Sequence, residues 1–343
     1  GGDGDDRING GLGNDTMLGG AGLDRFREGT GHGGGITLNP SGGSGAGNDS
    51  IDGGVITDRI NYTDLNLLSY VSATNGVTIN MAGITGDGSV GTGTATSTSA
   101  VAGNSGTDTF RNINLIEGSS FNDTITGSSA LIFEQIEGLG GNDVLNGGAI
   151  TDLVNTDNAN RVSYRFATAG VVVDLAAGTA TTTNATLSGN SGNDTLFNFS
   201  QVRGSNNADT ISGTDTTAYT ELFEGLNGND LIDGRGGFDI ARFDGATGGV
   251  TASLVDGSAT GSGVGNDTLV GIEGLFGSGN NDSLTGGNAA GGLDYSNTTL
   301  LEVFRGGGGN DTLDGGLGFD RADYGSSLAA VDTAARSAAT AAS

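Results

Sequence analysis

The chain opens with three blocks of nine residues, "GGDGDDRIN", "GGLGNDTML" and "GGAGLDRFR", each starting on a glycine pair and carrying an apolar residue at its eighth position. Those apolar residues are Ile8, Met17 and Phe26. Six glycine-rich polar residues followed by three with an apolar centre predict a tight turn and then a short strand with one side chain pointing inward. Two such blocks close a flattened coil of about 18 residues, and stacked coils bury their apolar positions in one continuous core.

The same rhythm returns further on as "GNDSIDGGVITDRINY" at 47–62, "GNDVLNGGAITDLVN" at 141–155, "GNDLIDGRGGFDIARF" at 228–243 and "GNDTLDGGLGFDRADY" at 309–324. An aromatic follows each pair of blocks, at Tyr62, Tyr164, Phe243 and Tyr324. After the first three come stretches of period two, "GVTINMAG" (76–83), "GVVVDLAAG" (170–178) and "GVTASLVDG" (249–257). Val77, Ile79 and Met81 then share one strand face, as do Val171, Val173 and Leu175. Glycine-, threonine- and serine-rich segments such as "GDGSVGTGTATSTSAVAG" (86–103) follow, and read as solvent-facing loops or as extra coils.

The organisation expected is one continuous solenoid: tandem nonapeptides over 1–27, a glycine-rich linker over 28–46, supermodules at 47–140, 141–227 and 228–308, a partial fourth at 309–324, and an Ala/Ser-rich tail or cap at 325–343. If most of the chain is coil, about 19 turns at ~4.8 Å make a rod on the order of 90 Å, with edge strands open to end-to-end addition.

Composition sharpens this picture. Of 343 residues 69 are glycine, and 40 acidic side chains face 13 basic ones for a formal net charge of -27. Such acidity with few aromatics often marks disorder, but disordered segments have no reason to hold a period. It also repels a phosphate backbone, so nucleic acid is not expected as a partner. No apolar run is long enough to span a bilayer. The chain has no cysteine, which removes disulfides, thiolate metal sites and a cysteine nucleophile. It begins at Gly1 with no charged-then-apolar leader and is read as a processed chain or a fragment.

The sixth position of each block is an aspartate. Asp6, Asp15 and Asp24 lead the series; pairs nine apart follow at Asp49/Asp58, Asp143/Asp152, Asp230/Asp239 and Asp311/Asp320; pairs fifteen apart stand at Asp108/Asp123, Asp194/Asp209 and Asp267/Asp282. In all but two of these seventeen the residue two places on is large and apolar, Ala241 and Ala322 being the exceptions. Stacking places such carboxylates one coil apart on the same edge, where they repel unless a cation lies between them. Calcium accepts six to eight oxygens in flexible geometry and suits carboxylates joined by turn carbonyls, whereas magnesium demands a tighter octahedron. Zinc prefers cysteine and histidine, and His32 is the one histidine. The alternative for each aspartate is an Asx-type turn. In "GSSFND", "GSNNAD" and "GSGNND" serine and asparagine replace glycine, so those turns can close by side-chain hydrogen bonds without an ion.

These nonapeptides resemble the RTX (repeats-in-toxin) calcium-binding family, and the longer modules resemble a unit common in such proteins, with an aromatic, a GV-x-φ-x-φ strand and a D-T-φ segment. The resemblance covers most of residues 1–324. It implies an all-β fold, a right-handed parallel β-roll whose turns bind several Ca2+ ions through the seventeen aspartates, and secretion by a type I route to the bacterial cell surface or beyond.

Catalytic signatures are missing. One histidine excludes an HExxH site, no G-x-S-x-G elbow occurs, and the lack of lysine excludes a Walker A loop. The recurring glutamates in "FEQIEG" (133–138) and "LFEG" (222–225) read as strand-end or turn residues, and Arg59, Arg161 and Arg321 as salt-bridge partners of turn aspartates. No enzyme is expected. Two function classes stand: a calcium-dependent structural or adhesive protein that self-associates into a filament or lattice or holds surface polysaccharide, and the export or folding domain of a larger secreted enzyme or toxin.

Overall fold

A computed structural model describes residues 1–9, 14–27, 48–54, 56, 65–71, 73, 75–97, 106–150, 159–182, 192–287 and 301–324. Among these the chain is built of short strands in two sheets, one of 12 strands and one of 18. The apolar eighth position of each block decides this arrangement. Met17, Phe26, Ile51, Phe110, Ile125, Leu145 and Leu196 all point into one core, which continues through Ile211, Ile232 and Leu269 to Phe304. Ile8 packs against its near end and Leu313 against its far end. Most of these side chains are fully enclosed, each contributing on the order of 1.5–3 kcal/mol by leaving water.

The 12-stranded sheet is parallel throughout, and its strands pair in chain order. Its inward row runs Ile8, Phe26, Leu68, Ile116, Ile136, Val162, Val202, Phe223, Ala241, Leu275, Phe304, Ala322. At the strand spacing of ~4.8 Å, twelve rungs span about 53 Å, well short of the rod expected from counting every eighteen residues as a coil.

The difference lies in the other sheet. Parallel pairing there is interrupted three times by an antiparallel meander. Val77–Asn80 runs against Gly93–Ser97, which runs against Thr107–Arg111. The same excursion recurs in Val171–Asp174, Thr179–Thr182, Asn193–Phe197 and in Val250–Ser253, Ser258–Gly261, Gly265–Val270. The last strand of each returns to pair in parallel with the strand before the excursion: Thr107–Arg111 with Ser50–Gly54, Asn193–Phe197 with Val144–Asn146, and Gly265–Val270 with Leu231–Asp233. The first strand of each pairs in parallel with the strand after it. The threonine-rich segments therefore contain a strand and are not loops throughout. Each meander adds two strands to one side of the roll that have no counterpart opposite, which accounts for 18 strands against 12.

Several expectations fall on residues outside those described: the linker at 28–46, the tail at 325–343, and Asp58, Asp152, Arg59 and Tyr62. The aromatic that closes the first supermodule's rung is Tyr70, eight residues beyond Tyr62. Its N–H donates to the Glu117 carbonyl as Tyr164 N–H does to Arg203 and Phe243 N–H to Phe276. Arg161 donates to Gln135 at 2.8 Å and lies over the Phe133 ring, and its charge also acts on the turn aspartate Asp244.

Candidate metal centres

The aspartates of the repeat stand where the turn enters the strand, so parallel stacking sets each beside its counterpart on the next rung. On the edge leading into the mixed sheet the backbone N–H of Asp15 donates to Asp49 Oδ1 (2.6 Å) and that of Asp49 to Asp108 Oδ1 (3.1 Å). A second ladder joins Asp123 to Asp143 (2.8 Å) and Asp143 to Asp194 (3.0 Å), and a third joins Asp209 to Asp230 (2.8 Å) and Asp230 to Asp267 (3.0 Å). Asp282 donates to Asp311 at 3.0 Å in a fourth. The meanders separate the ladders. At each break a valine takes the aspartate's register, and Val77, Val171 and Val250 N–H donate to Asp123, Asp209 and Asp282 at 2.7 Å.

The opposite edge carries Asp6 and Asp24, joined in the same way at 3.0 Å, and then changes residue type. Asn66 accepts from Asp24 at 3.0 Å and Asn114 from Asn66 at 2.7 Å. Farther along, Glu221 and Asp239 are in register, and Asp239 N–H donates to Glu273 at 2.9 Å. Asp320 pairs in register with Glu302 at the far end. The asparagines and glutamates of this edge belong to the ladder although their spacing departs from nine. An asparagine ladder runs beside the aspartates: Asn48 and Asn142 N–H donate to Asn14 and Asn122, and Thr107 and Asn193 to Asn48 and Asn142.

One carboxylate oxygen is thus used by the backbone, and the fate of the other divides the sites. Oδ2 of Asp6, Asp15, Asp24, Asp143, Asp230, Asp239 and Asp267 is buried and has no hydrogen-bond partner. A buried anionic oxygen with nothing bound is costly unless a cation takes it. The backbone is shaped around these atoms. A Cβ on Gly19 would lie 2.3 Å from Asp24 Oδ2 and 2.6 Å from the Gly53 carbonyl oxygen, and one on Gly138 would lie 2.2 Å from Asp143 Oδ2. Glycine there keeps open a cradle in which a carboxylate and a carbonyl of the next rung approach one another. Among the described residues no three acidic or histidine side chains converge as a metal-holding group, so the donors would be one or two carboxylates with turn carbonyls. That hard, oxygen-only, backbone-rich set fits calcium.

Asp123, Asp209 and Asp282 are different. Oδ2 of each accepts from the backbone of Ser119, Ser205 and Ser278 (2.6, 2.5 and 2.6 Å), and Oδ1 accepts the same serine's hydroxyl (2.8, 2.9 and 2.9 Å). Glu134 closes the turn at Ser128 through both its oxygens, Glu221 accepts from Thr214 N–H at 2.7 Å, and Glu302 from Gly287 N–H at 2.9 Å. These turns are shut by the chain itself, except that Glu221 keeps a buried Oε1 with no partner.

Without a cation the ladders hold charge badly. Burial pushes the Asp143 carboxyl up to about 8, helped by neighbouring Asp194, and Asp230 to about 8, helped by Asp267. Asp239 rises to about 9 through burial and the facing Glu221 and Glu273. On the outer face of the parallel sheet, charge is instead paired: Arg165 spans Glu117 and Glu137 at 3.2 Å each, and Arg203 meets Glu224 at 2.6 Å.

A family model described as the RTX calcium-binding nonapeptide repeat (4 copies) matches residues 1–27, 111–130, 134–160, 179–197, 222–241 and 303–322. No curated protein matches the chain at a significant level. The matched stretches fall in every ladder segment, on the two-sheet roll that such repeats build. The chain carries RTX calcium-binding nonapeptide repeats at several positions from its first ladder to its last.

Proposed function

We propose that the chain is a non-catalytic, calcium-gated structural or adhesive protein that works outside the bacterial cell. The observation that carries this reading is the single core running from Met17 to Phe304, flanked on both edges by carboxylate ladders. The described strands all belong to the two sheets of that roll. A net charge of -27 opposes compaction, and the orphaned Oδ2 atoms concentrate that opposition at the turns. Bound calcium would supply positive charge at the cradles and favour the native state by mass action. Sites of ~10⁻⁴–10⁻³ M affinity, usual for extracellular modules, fill outside a cell and stay empty inside. Rigidity then appears after export, which suits a surface filament, a lattice or a polysaccharide-holding segment.

Sedimentation velocity over a range of protein concentrations, with calcium and with chelator, tests the assembling role. Mass that grows with concentration only in calcium supports it. A monomer at all concentrations in calcium would favour an export or folding module of a larger secreted protein.

A further inference from the structure

The three meanders end on equivalent carboxylates, and one of them is not like the other two. Asp108, Asp194 and Asp267 each accept the preceding ladder N–H on Oδ1, from Asp49, Asp143 and Asp230 at 3.1, 3.0 and 3.0 Å. The aromatic that opens each meander's turn sits on the same backbone. The carbonyls of Tyr70, Tyr164 and Phe243 accept from Ala73, Ala167 and Ala246 N–H at 2.8, 2.8 and 2.9 Å, a matching turn in all three modules. Tyr70 hydroxyl donates to Asp108 Oδ2 at 2.9 Å, and Tyr164 hydroxyl to Asp194 Oδ2 at 3.1 Å. Phe243 is as buried as Tyr164 but has no hydroxyl to give, and Asp267 Oδ2 is left buried with no partner.

Beside it, one rung away, Asp230 Oδ2 is also buried and unpartnered. Asp230 and Asp267 are 2% and 3% exposed, so neither oxygen can turn to water. In the second module the corresponding pair, Asp143 and Asp194, has one orphaned Oδ2, because the tyrosine takes the other. We propose that Asp230 and Asp267 form a divalent-cation site that the first two modules have closed with a tyrosine hydroxyl. The side chain at positions 70, 164 and 243 then decides whether the meander's last rung takes an ion. This selection is separate from the glycine pattern, since "GND" precedes both Thr195 and Thr268, and the two turns read alike in sequence. A hydroxyl donates one hydrogen bond to one oxygen and closes it without an ion, whereas the open rung offers two anionic oxygens to one cation.

The inference rests on the calcium reading above, and exchanging the two aromatics tests it separately. Calcium bound by the whole chain is counted by native mass spectrometry and equilibrium dialysis for the wild type, Phe243→Tyr and Tyr164→Phe. Phe243→Tyr is expected to bind one ion fewer and Tyr164→Phe one more. In chelator the order of melting temperatures is expected to be Phe243→Tyr above wild type above Tyr164→Phe, because the hydroxyl satisfies an oxygen that is otherwise orphaned. A wild type that binds calcium while both variants bind the same number overturns the inference and leaves the calcium reading intact. A wild type that binds none overturns both. If Phe243→Tyr does not fold, the gain expected in Tyr164→Phe decides the matter alone.

Discussion

Replacing Asp230 with asparagine separates a ligand from a hydrogen-bonding turn residue. Asp230 is 2% exposed, and its Oδ1 accepts the Asp209 N–H at 2.8 Å, a bond that asparagine keeps. What changes is Oδ2, which is buried, unpartnered and pressed against Gly225. For a site of ~10⁻⁴–10⁻³ M affinity in about 10 mM calcium, native-state binding contributes RT ln(1 + [L]/Kd), about 1.4–2.7 kcal/mol. Asp230→Asn should lose that amount in calcium. In chelator near neutral pH the sign should reverse, because the variant no longer buries a carboxyl that burial and Asp267 have pushed up to about 8. Urea unfolding of both proteins, in calcium and in chelator, reads the two differences directly. Equal destabilisation in both conditions would mean that Asp230 is a turn residue and not a ligand, and would refute the reasoning.

The ion-free chain should also lose stability as pH rises. Folded-state values of about 8 for Asp143 and Asp230 lie above the unfolded value of ~3.9, so the folded state binds more protons between those limits. Thermal melts in chelator should therefore fall between about pH 4 and pH 8, while melts in calcium should hold or rise as protons stop competing for the ligands. Gly225→Ala, whose Cβ would sit 2.1 Å from Asp230 Oδ2, should abolish one ion's worth of calcium-induced stabilisation, whereas Gly279→Ala, with nothing within 4 Å, should not; calcium-dependent melting shifts of the two variants check this. Ser205→Ala removes a hydroxyl that donates to Asp209 at 2.9 Å and accepts from Asn207 N–H at 3.0 Å. Its cost, about 1–3 kcal/mol for leaving buried polar groups unpaired, should be the same with and without calcium in urea unfolding.

The nonapeptide was legible because each of its positions has one job: glycines open the cradle, aspartate joins the ladder, and the apolar residue enters the core. Met17, Phe26, Ile51 and Leu145 could be placed inward from spacing alone, and they are. The option of an ion-free closure in "GSSFND", "GSNNAD" and "GSGNND" could also be stated in advance, and Ser119, Ser205 and Ser278 close those turns. The meanders were harder to see. The inward residues of their middle strands are Ala95, Ala180 and Ala259, too small to stand out as apolar positions among threonine and serine. Asn66, Asn114, Glu221 and Glu273 joined a ladder without any fixed distance from an aspartate, because parallel register is set by stacking and insertions between rungs change the count. The same insertions moved the first module's aromatic from Tyr62 to Tyr70. A tyrosine and a phenylalanine read alike as core residues, and their different service to Asp194 and Asp267 appears only once stacking sets the aspartates' register.

The central claim is that the carboxylate ladders hold calcium and that the roll depends on it. Far-ultraviolet circular dichroism of the purified chain in chelator, followed through a calcium titration into the millimolar range, tests it most directly. The account expects weak β-signal without calcium and a cooperative rise as calcium reaches about 10⁻⁴–10⁻³ M, with magnesium failing to substitute. A chain already fully folded in chelator near neutral pH, and indifferent to calcium, would contradict it.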